Sequence, residues 1–121
     1  MLFNAENEVN SATYYRNKLS DKVVEDILSI YGVKSYNRRF VNKVGRNLEK
    51  QLYKNKSILI TKFDYTFTKL LPRKYRKNIK DTILCVEFEF DKPIFKFSKY
   101  FNSAPTKMKV EEIIELMEEL K

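Results

Sequence analysis

Lysine and arginine are concentrated in the middle of this 121-residue chain, spaced closely enough to form one binding surface. Residues 33–80 carry fifteen of the 24 cations and only two carboxylates, whereas the segments on either side are each net acidic. A dense cluster of one charge sign attracts oppositely charged partners and raises their local concentration. Because lysine and arginine neutralise phosphates, the chemistry that these residues predict first is contact with a nucleic acid.

The first half of this basic segment has the spacing of an amphipathic helix, which we predict from a cap at Ser35 to about residue 53. At about 100° per residue, the cations from Arg39 to Lys54 fall in one narrow sector, far from an apolar stripe. That stripe consists of Tyr36, Phe40, Val44, Leu48 and Leu52. We therefore expect one side of the helix to pack and the other to present its cations.

Two kinds of side chain on this helix have different roles on a nucleic acid. Arginine and lysine form ion pairs with phosphates and can also donate hydrogen bonds to the edge of guanine, whereas asparagine can form hydrogen bonds with adenine. We expect the phosphate contacts to come from Arg39, Lys43, Arg46 and Lys50. We expect the base readers to be Asn37, Arg38 and Asn42.

The second half of the basic segment, residues 68–80, is a connector in which Pro72 limits any helix to a fresh start. We expect a loop or a short helix there. Four cations surround one tyrosine in its run of Arg73, Lys74, Tyr75, Arg76 and Lys77. Phosphate contacts beside an aromatic ring are typical of nucleic-acid binding, so the connector is predicted to join the helix in one interface.

The composition removes most enzyme mechanisms and cofactor sites. The chain has no histidine, two glycines and one cysteine, which removes histidine-based triads, zinc clusters, glycine-rich phosphate loops and CxxC redox pairs. Glu87 and Glu89 share a strand face, as in two-metal sites, but we expect Glu89 to pair with Lys96, so no metal is predicted.

A ribonuclease that works without a metal ion and stabilises the phosphorane charge, such as a small basic toxin, is one alternative for the function, ranked after the two given below. Its candidate residues are Arg73, Tyr75 and Arg76.

The basic helix is predicted to be the third of three N-terminal helices. The first spans about 5–19, and the second spans about 21–31 between the cap Ser20 and the stop signal Gly32. The short link at 32–34 then gives the second and third helices the shape of a helix-turn-helix motif. A following β-hairpin would act as the wing of that motif.

The C-terminal half is predicted to form a three-stranded antiparallel sheet. Alternating apolar and polar residues indicate strands over 57–67, 82–90 and 94–100, of which the last two form a hairpin. Pairing Phe90 with Phe95 in that hairpin also sets Glu89 opposite Lys96. The phenylalanines at alternating strand positions are assigned to the core: Phe63, Phe67, Phe88, Phe90, Phe95 and Phe97.

A last amphipathic helix is predicted over about 108–121, after a loop at 101–107, with Thr106 as its cap because Lys109 caps poorly. Helices followed by an antiparallel sheet and a further helix define an α+β fold, in one domain of residues 1–121. A single cysteine, the lack of an apolar run of about 18–20 residues and the absence of a signal-peptide pattern predict a soluble cytoplasmic protein without a membrane partner.

The function predicted from these features is non-catalytic nucleic-acid binding, with duplex DNA favoured over RNA because of the winged helix-turn-helix pattern. The lysine-, asparagine- and isoleucine-rich usage resembles that of A+T-rich bacteria and their phages or plasmids. In such a setting the protein would act in transcription, replication or transfer control. The alternative is an inhibitor that binds a host nuclease or nucleoprotein complex, as anti-CRISPR proteins do. The acidic C-terminal helix is a candidate surface for a homodimer.

Overall fold

The computed structural model describes residues 19–120, so the predicted first helix at 5–19 lies, apart from Leu19, outside the described residues. Within 19–120 the chain forms five helices and one four-stranded antiparallel sheet. The helices are α1 (Asp21–Ile30), α2 (Arg38–Asn55), α3 (Tyr65–Thr68), α4 (Arg73–Arg76) and α5 (Val110–Glu119). The strands are β1 (Ser57–Ile60), β2 (Ile83–Glu89), β3 (Lys92–Ser98) and β4 (Thr106–Lys107). The predicted α+β class is confirmed, with one strand more than the three predicted.

Side-chain caps set where α1 and α2 begin. Ser20 caps α1 as predicted, because its Oγ accepts a hydrogen bond from a backbone N–H of the first turn at 3.4 Å. α2 is capped by Asn37, two residues later than predicted, and the Asn37 Oδ1 accepts from the Phe40 N–H at 2.9 Å. Residues 31–37, with Gly32 at φ 82°, therefore connect α1 to α2. This connection is longer than the turn of about three or four residues in a helix-turn-helix.

The sheet has the strand order β1-β2-β3-β4, and each neighbouring pair is antiparallel. One face carries the buried side chains, which pair across strands as Ile60 with Leu84, Leu84 with Phe97 and Val86 with Phe95. This face shares one hydrophobic core with buried residues of α1, α2 and α5. α2 packs against both β1 and α1, so its orientation is set by the sheet and by the preceding helix.

α2 also protects one edge of the sheet. β1 is an edge strand, and the free edge of a strand is prone to pair with another chain. The Gln51 side chain of α2 reaches this edge, where its Oε1 accepts a hydrogen bond from the Leu59 N–H at 3.1 Å. The same helix therefore packs on the face of the sheet and accepts a hydrogen bond from a backbone N–H at its edge.

β1 ends at Ile60, well short of the end at residue 67 that the alternating pattern predicts. The cause is local: the Asp64 Oδ1 accepts hydrogen bonds from the Thr66 N–H, at 2.9 Å, and from the Thr66 hydroxyl, and α3 begins there. Short polar side chains that bond to nearby backbone compete with strand pairing. The bonds from Thr66 also lower the pKa of Asp64, because they favour the carboxylate. As a result Phe63, which was predicted to be core, is 70% exposed.

The hairpin of β2 and β3 turns more tightly than predicted. Glu89 pairs with Lys92, so Phe90 and Asp91 alone form the turn. Both turn residues have positive φ, 49° and 67°, as in the type I′ turns whose twist matches that of antiparallel strands. The register differs from the predicted one, which set Phe90 opposite Phe95, by an even number of residues, so the same side chains still share a face. Phe90 was predicted to be core and is instead 91% exposed.

The predicted loop before the last helix contains the short strand β4, in which Thr106 pairs with β3. Thr106 therefore does not cap α5. Lys109 occupies the cap position, and its N–H donates to the Glu112 Oε1 at 3.3 Å. α5 packs against α1 and buries Ile113 and Met117, while its glutamates face solvent.

Replacing Phe90 with asparagine is expected to raise the free energy of unfolding by about 1 kcal/mol, because asparagine occupies the left-handed region at lower cost. Phe90 is 91% exposed, so almost no burial is lost. Urea denaturation followed by circular dichroism measures the change. Tyr100→Asn is the matched control, since Tyr100 is also an exposed aromatic residue but has no positive φ. An equal gain in both variants would contradict this explanation.

Candidate nucleic-acid interface

The helix α2 carries a row of cations on the side opposite its buried stripe. The predicted stripe is confirmed at Val44, Leu48 and Leu52, which are buried. The cations on the other side, Arg39, Lys43, Arg46, Lys50 and Lys54, are all exposed and are called the α2 row. At 1.5 Å per residue the α2 row extends over about 22 Å.

No cation of the α2 row has a hydrogen-bonding or ionic partner within residues 19–120. Neighbouring members are three or four residues apart, so their charges repel one another along one side of the helix. α2 also has no acidic residue in its first turn, where the helix dipole favours one, and Arg38 and Arg39 stand there instead. This arrangement of charges is one that a bound polyanion would stabilise.

Two of the three predicted base readers make contacts inside the protein. The Asn37 Oδ1 is the cap of α2. The Arg38 Nη1 lies 2.8 Å from the Asp21 Oδ2, which ties the start of α2 to the start of α1. Asn42 is half-buried beside the α2 row. Base reading by Asn37 or Arg38 would break these contacts, so α2 offers phosphate-binding cations more readily than base-reading groups.

The basic connector, residues 68–80, begins at the last residue of α3 and contains α4, which has Pro72 at its N-cap. Arg73, Lys74 and Lys77 are exposed. Tyr75 is half-buried against the core, and the Lys74 Nζ lies 5.0 Å from the centre of its ring. The connector therefore presents three cations to solvent, while much of the Tyr75 ring is used in packing.

Arg76 is held within the connector by three hydrogen bonds. Its Nε donates to the Leu71 carbonyl at 2.9 Å, its Nη2 to the Lys69 carbonyl at 2.9 Å and its Nη1 to the Tyr65 hydroxyl at 3.0 Å. Its guanidinium carbon lies 5.8 Å from the centre of the Tyr65 ring. These contacts fix the turn between α3 and α4. These bonds use three of the five N–H groups of the guanidinium, so the role that the ribonuclease alternative gives to Arg76 would depend on the two that remain.

Two adjoining open grooves lie beside the connector. The first has a volume of about 530 Å³ and is lined by Lys74, Tyr75, Lys77, Asn78 and Lys80. The second has a volume of about 410 Å³ and is lined in part by Lys62, Tyr65, Arg76 and Asp81. Lys77 and Lys80 line both grooves. The Asn78 Nδ2 donates to the Tyr31 carbonyl at 2.8 Å, which fastens the groove wall to the end of α1. Anions are the ligands that such a lysine-lined surface can hold.

Sequence reasoning missed an aromatic contact beside the second groove. The Phe63 and Phe101 rings meet edge to face, with their centres 5.4 Å apart and their planes at 80°. The Lys62 Nζ lies 5.3 Å and 4.7 Å from the two ring centres and 2.5 Å from the Asp81 Oδ1. Phe63 and Phe101 are 70% and 47% exposed. The signal in the sequence that could have indicated this contact is Asp64 followed by Thr66, the capping pair that ends β1 early.

The carboxylates considered for a metal site have other contacts or lie apart. The Glu87 Oε1 lies 2.6 Å from the Lys96 Nζ, although Glu89 was the predicted partner of Lys96. The hydrogen bond and the charge of Glu87 raise the pKa of Lys96 above its ordinary value. Burial, followed by the charge of Glu87, raises the pKa of the neighbouring Cys85 thiol. In the part of the chain that the structure describes, no three such groups are arranged to hold a metal ion.

Asn37→Ala is expected to destabilise the protein by about 1 kcal/mol, because α2 loses its N-cap hydrogen bond. Asn37→Ser keeps a capping oxygen and is expected to retain most of the stability. Neither change removes a cation, so the affinity for duplex DNA should be nearly unchanged in both. Thermal unfolding and fluorescence anisotropy measure the two quantities. A sequence-dependent loss of affinity in the stable Asn37→Ser variant would instead assign Asn37 to base reading.

Arg76→Lys keeps the charge but cannot reproduce the three hydrogen bonds of the guanidinium, so we expect it to destabilise the protein by about 1–3 kcal/mol. Arg73→Lys is the control, because Arg73 is exposed and has no hydrogen-bonding partner among residues 19–120. Urea denaturation measures both variants. Equal stability of the two would show that the contacts of Arg76 do not hold the connector.

No protein-family model matches the chain, and neither a curated protein nor a solved structure is significantly similar to it. No helix within residues 19–120 is both long enough and apolar enough to cross a membrane. The basis for a functional proposal is therefore the chemistry of the α2 row, the connector and the grooves beside it.

Proposed function

We propose that this protein binds nucleic acid through phosphate contacts, with duplex DNA as the preferred form. The supporting observation is the α2 row, in which five exposed cations lie on one side of a helix without partners among the described residues. Duplex DNA carries one phosphate per about 1.7 Å of its axis, so about 22 Å of duplex offers more phosphates than the α2 row has cations. The cations are evenly spaced along one helix, which suits the regular phosphate array of a duplex better than that of a flexible strand.

The cations of the connector extend this interface. α3, whose last residue begins the connector, packs against α2. Arg73, Lys74 and Lys77 are exposed and supply further phosphate contacts. A duplex that contacts both the α2 row and these cations would be held over more of its length than by either element alone.

The proposed binding depends weakly on base sequence. Phosphate contacts position a protein on DNA but carry no sequence information. Asn37 is engaged as a cap and Arg38 as the partner of Asp21, so few base-reading groups remain. A winged helix-turn-helix docking, with α2 in the major groove, has less support because residues 31–37 make a long connection. Sequence-independent binding suits replication or transfer better than the control of single promoters.

The triple change Arg39→Glu, Lys43→Glu and Arg46→Glu is expected to remove most of the affinity for duplex DNA. Each cation that neutralises a phosphate contributes about 0.9 to the slope of log K against log salt, so the slope should fall by about 2.7. All three positions are exposed, and glutamate at position 39 in the first turn of α2 favours the helix dipole, so the variant should remain folded. Fluorescence anisotropy between about 50 and 300 mM salt measures the slope, and circular dichroism verifies the fold.

The control is the triple change Lys99→Glu, Lys107→Glu and Lys109→Glu, which alters the net charge equally but leaves α2 and the connector intact. It should retain most of the affinity. Equal losses in the two triple variants would contradict a specific role of the α2 row. If the unmodified chain binds no nucleic acid at low salt, the proposal is wrong, and an acidic protein partner, as in the inhibitor alternative, becomes the ligand to seek.

A further inference from the structure

Three chain segments meet at one end of the sheet. Because neighbouring strands are antiparallel, the end of β1, the start of β2 and the end of β3 all lie at the same end of the sheet. The residues that follow β1, precede β2 and follow β3 leave the sheet there. Phe63, Asp81 and Phe101 are therefore brought together from distant positions, and the Lys62 Nζ lies against all three.

Three aromatic side chains at this end of the sheet are exposed. Phe63 is 70% exposed, Tyr65 is 56% exposed and Phe101 is 47% exposed. The edge-to-face contact of the two phenylalanines holds their rings in a defined orientation. Grouped apolar side chains on a surface mark binding sites. We call Phe63, Tyr65 and Phe101 the aromatic cluster.

The groove that adjoins the aromatic cluster is cationic. Lys62, Arg76, Lys77 and Lys80 line it, and Asp81 is the carboxylate among its lining residues. Asp81 is paired with Lys62, so its charge is already balanced. Arg76 is immobilised by its three hydrogen bonds, which makes it a fixed positive charge in the groove wall. Charge complementarity therefore selects an anionic ligand for this groove.

The geometry points to a second site, for unpaired nucleotides, formed by the aromatic cluster and this cationic groove. A base would stack on the exposed Phe63 ring while the adjoining phosphates lie against Lys77 and Arg76. Aromatic rings beside a cationic groove are the usual means by which proteins hold single strands. A base inside a duplex is covered by its neighbours in the stack and cannot reach the ring.

This inference rests on the proposed nucleic-acid function and adds to it the form of the ligand. The α2 row would hold the phosphates of a duplex, and the aromatic cluster would hold bases that have left it. The ligand that engages both surfaces is a duplex with a single-stranded tail. Such a ligand is expected to bind more tightly than a blunt duplex of the same length.

The first experiment uses the absence of tryptophan from the chain. Phe63→Trp places a single fluorescent reporter in the aromatic cluster, and a thymidine oligonucleotide of about ten nucleotides should quench it by stacking. Phe90→Trp is the control, because the hairpin turn lies at the opposite end of β2, about 20 Å away, and should not be quenched. An oligonucleotide of the same length without bases should quench neither reporter.

The second experiment compares a tailed duplex with a blunt duplex. Stacking of one base accounts for about a 5- to 160-fold change in affinity. Phe63→Ala should therefore lower the affinity for the tailed duplex by about that factor and leave the affinity for the blunt duplex unchanged. Because Phe63 is 70% exposed, the variant should keep its fold, which circular dichroism verifies. The α2 triple variant should lose affinity for both duplexes.

The outcomes separate this inference from the function on which it rests. Base-dependent quenching of Phe63→Trp, with a selective loss in Phe63→Ala, supports the second site. If duplexes bind but Phe63→Trp is not quenched and Phe63→Ala keeps its affinity for the tailed duplex, the second site is wrong and the proposed function stands. If no nucleic acid binds the unmodified chain, both are wrong. Binding of an acidic protein that Phe63→Ala abolishes, with nucleic-acid affinity unchanged, would reassign the aromatic cluster to a protein partner.

Discussion

Burial of the apolar stripe of α2 is the interaction on which the proposed interface depends. Val44, Leu48 and Leu52 are almost inaccessible in the core that α2 shares with the sheet. Full burial of one such side chain contributes about 1.5–3 kcal/mol. Repulsion between like charges three or four residues apart on a helix surface costs only about 0.2–0.5 kcal/mol per pair. Packing therefore decides which way α2 faces, and it keeps the five cations together against their mutual repulsion.

The elements with a regular burial pattern could be predicted from the sequence, because the pattern itself records which side faces the core. α1, α2, α5 and the two strands of the hairpin all belong to this class. The predicted end of β1 and the predicted start of α2 were wrong because local hydrogen bonds set these two positions. Asp64 and Thr66 end a strand whose alternation continues, and Asn37 caps α2 where Ser35 was an equally good candidate. The positive φ of Phe90 has no sequence signal, because a bulky residue rarely adopts it.

In the candidate site, too, some features could be predicted from the sequence and others could not. The α2 row could be predicted because its members are related by helical periodicity alone. The contacts of Arg38 with Asp21 and of Arg76 with Tyr65 join different elements, so spacing along the chain did not show them. The contact between Phe63 and Phe101 depends on the sheet order and on the early end of β1. A residue's type suggested which ligand it could bind, but its partners in the fold determined whether it was available.

The two surfaces differ in how much order they have before a ligand arrives, and this difference suits different tasks. The cations of the α2 row sit on long side chains without partners in the described chain, so binding must order them and each contact adds little selectivity. The Phe63 and Phe101 rings hold each other and Arg76 is fixed by its hydrogen bonds, so less conformational entropy is lost when a ligand docks there. On the proposed function, affinity would come mainly from the α2 row. Recognition of unpaired bases would come from the preorganised end of the sheet.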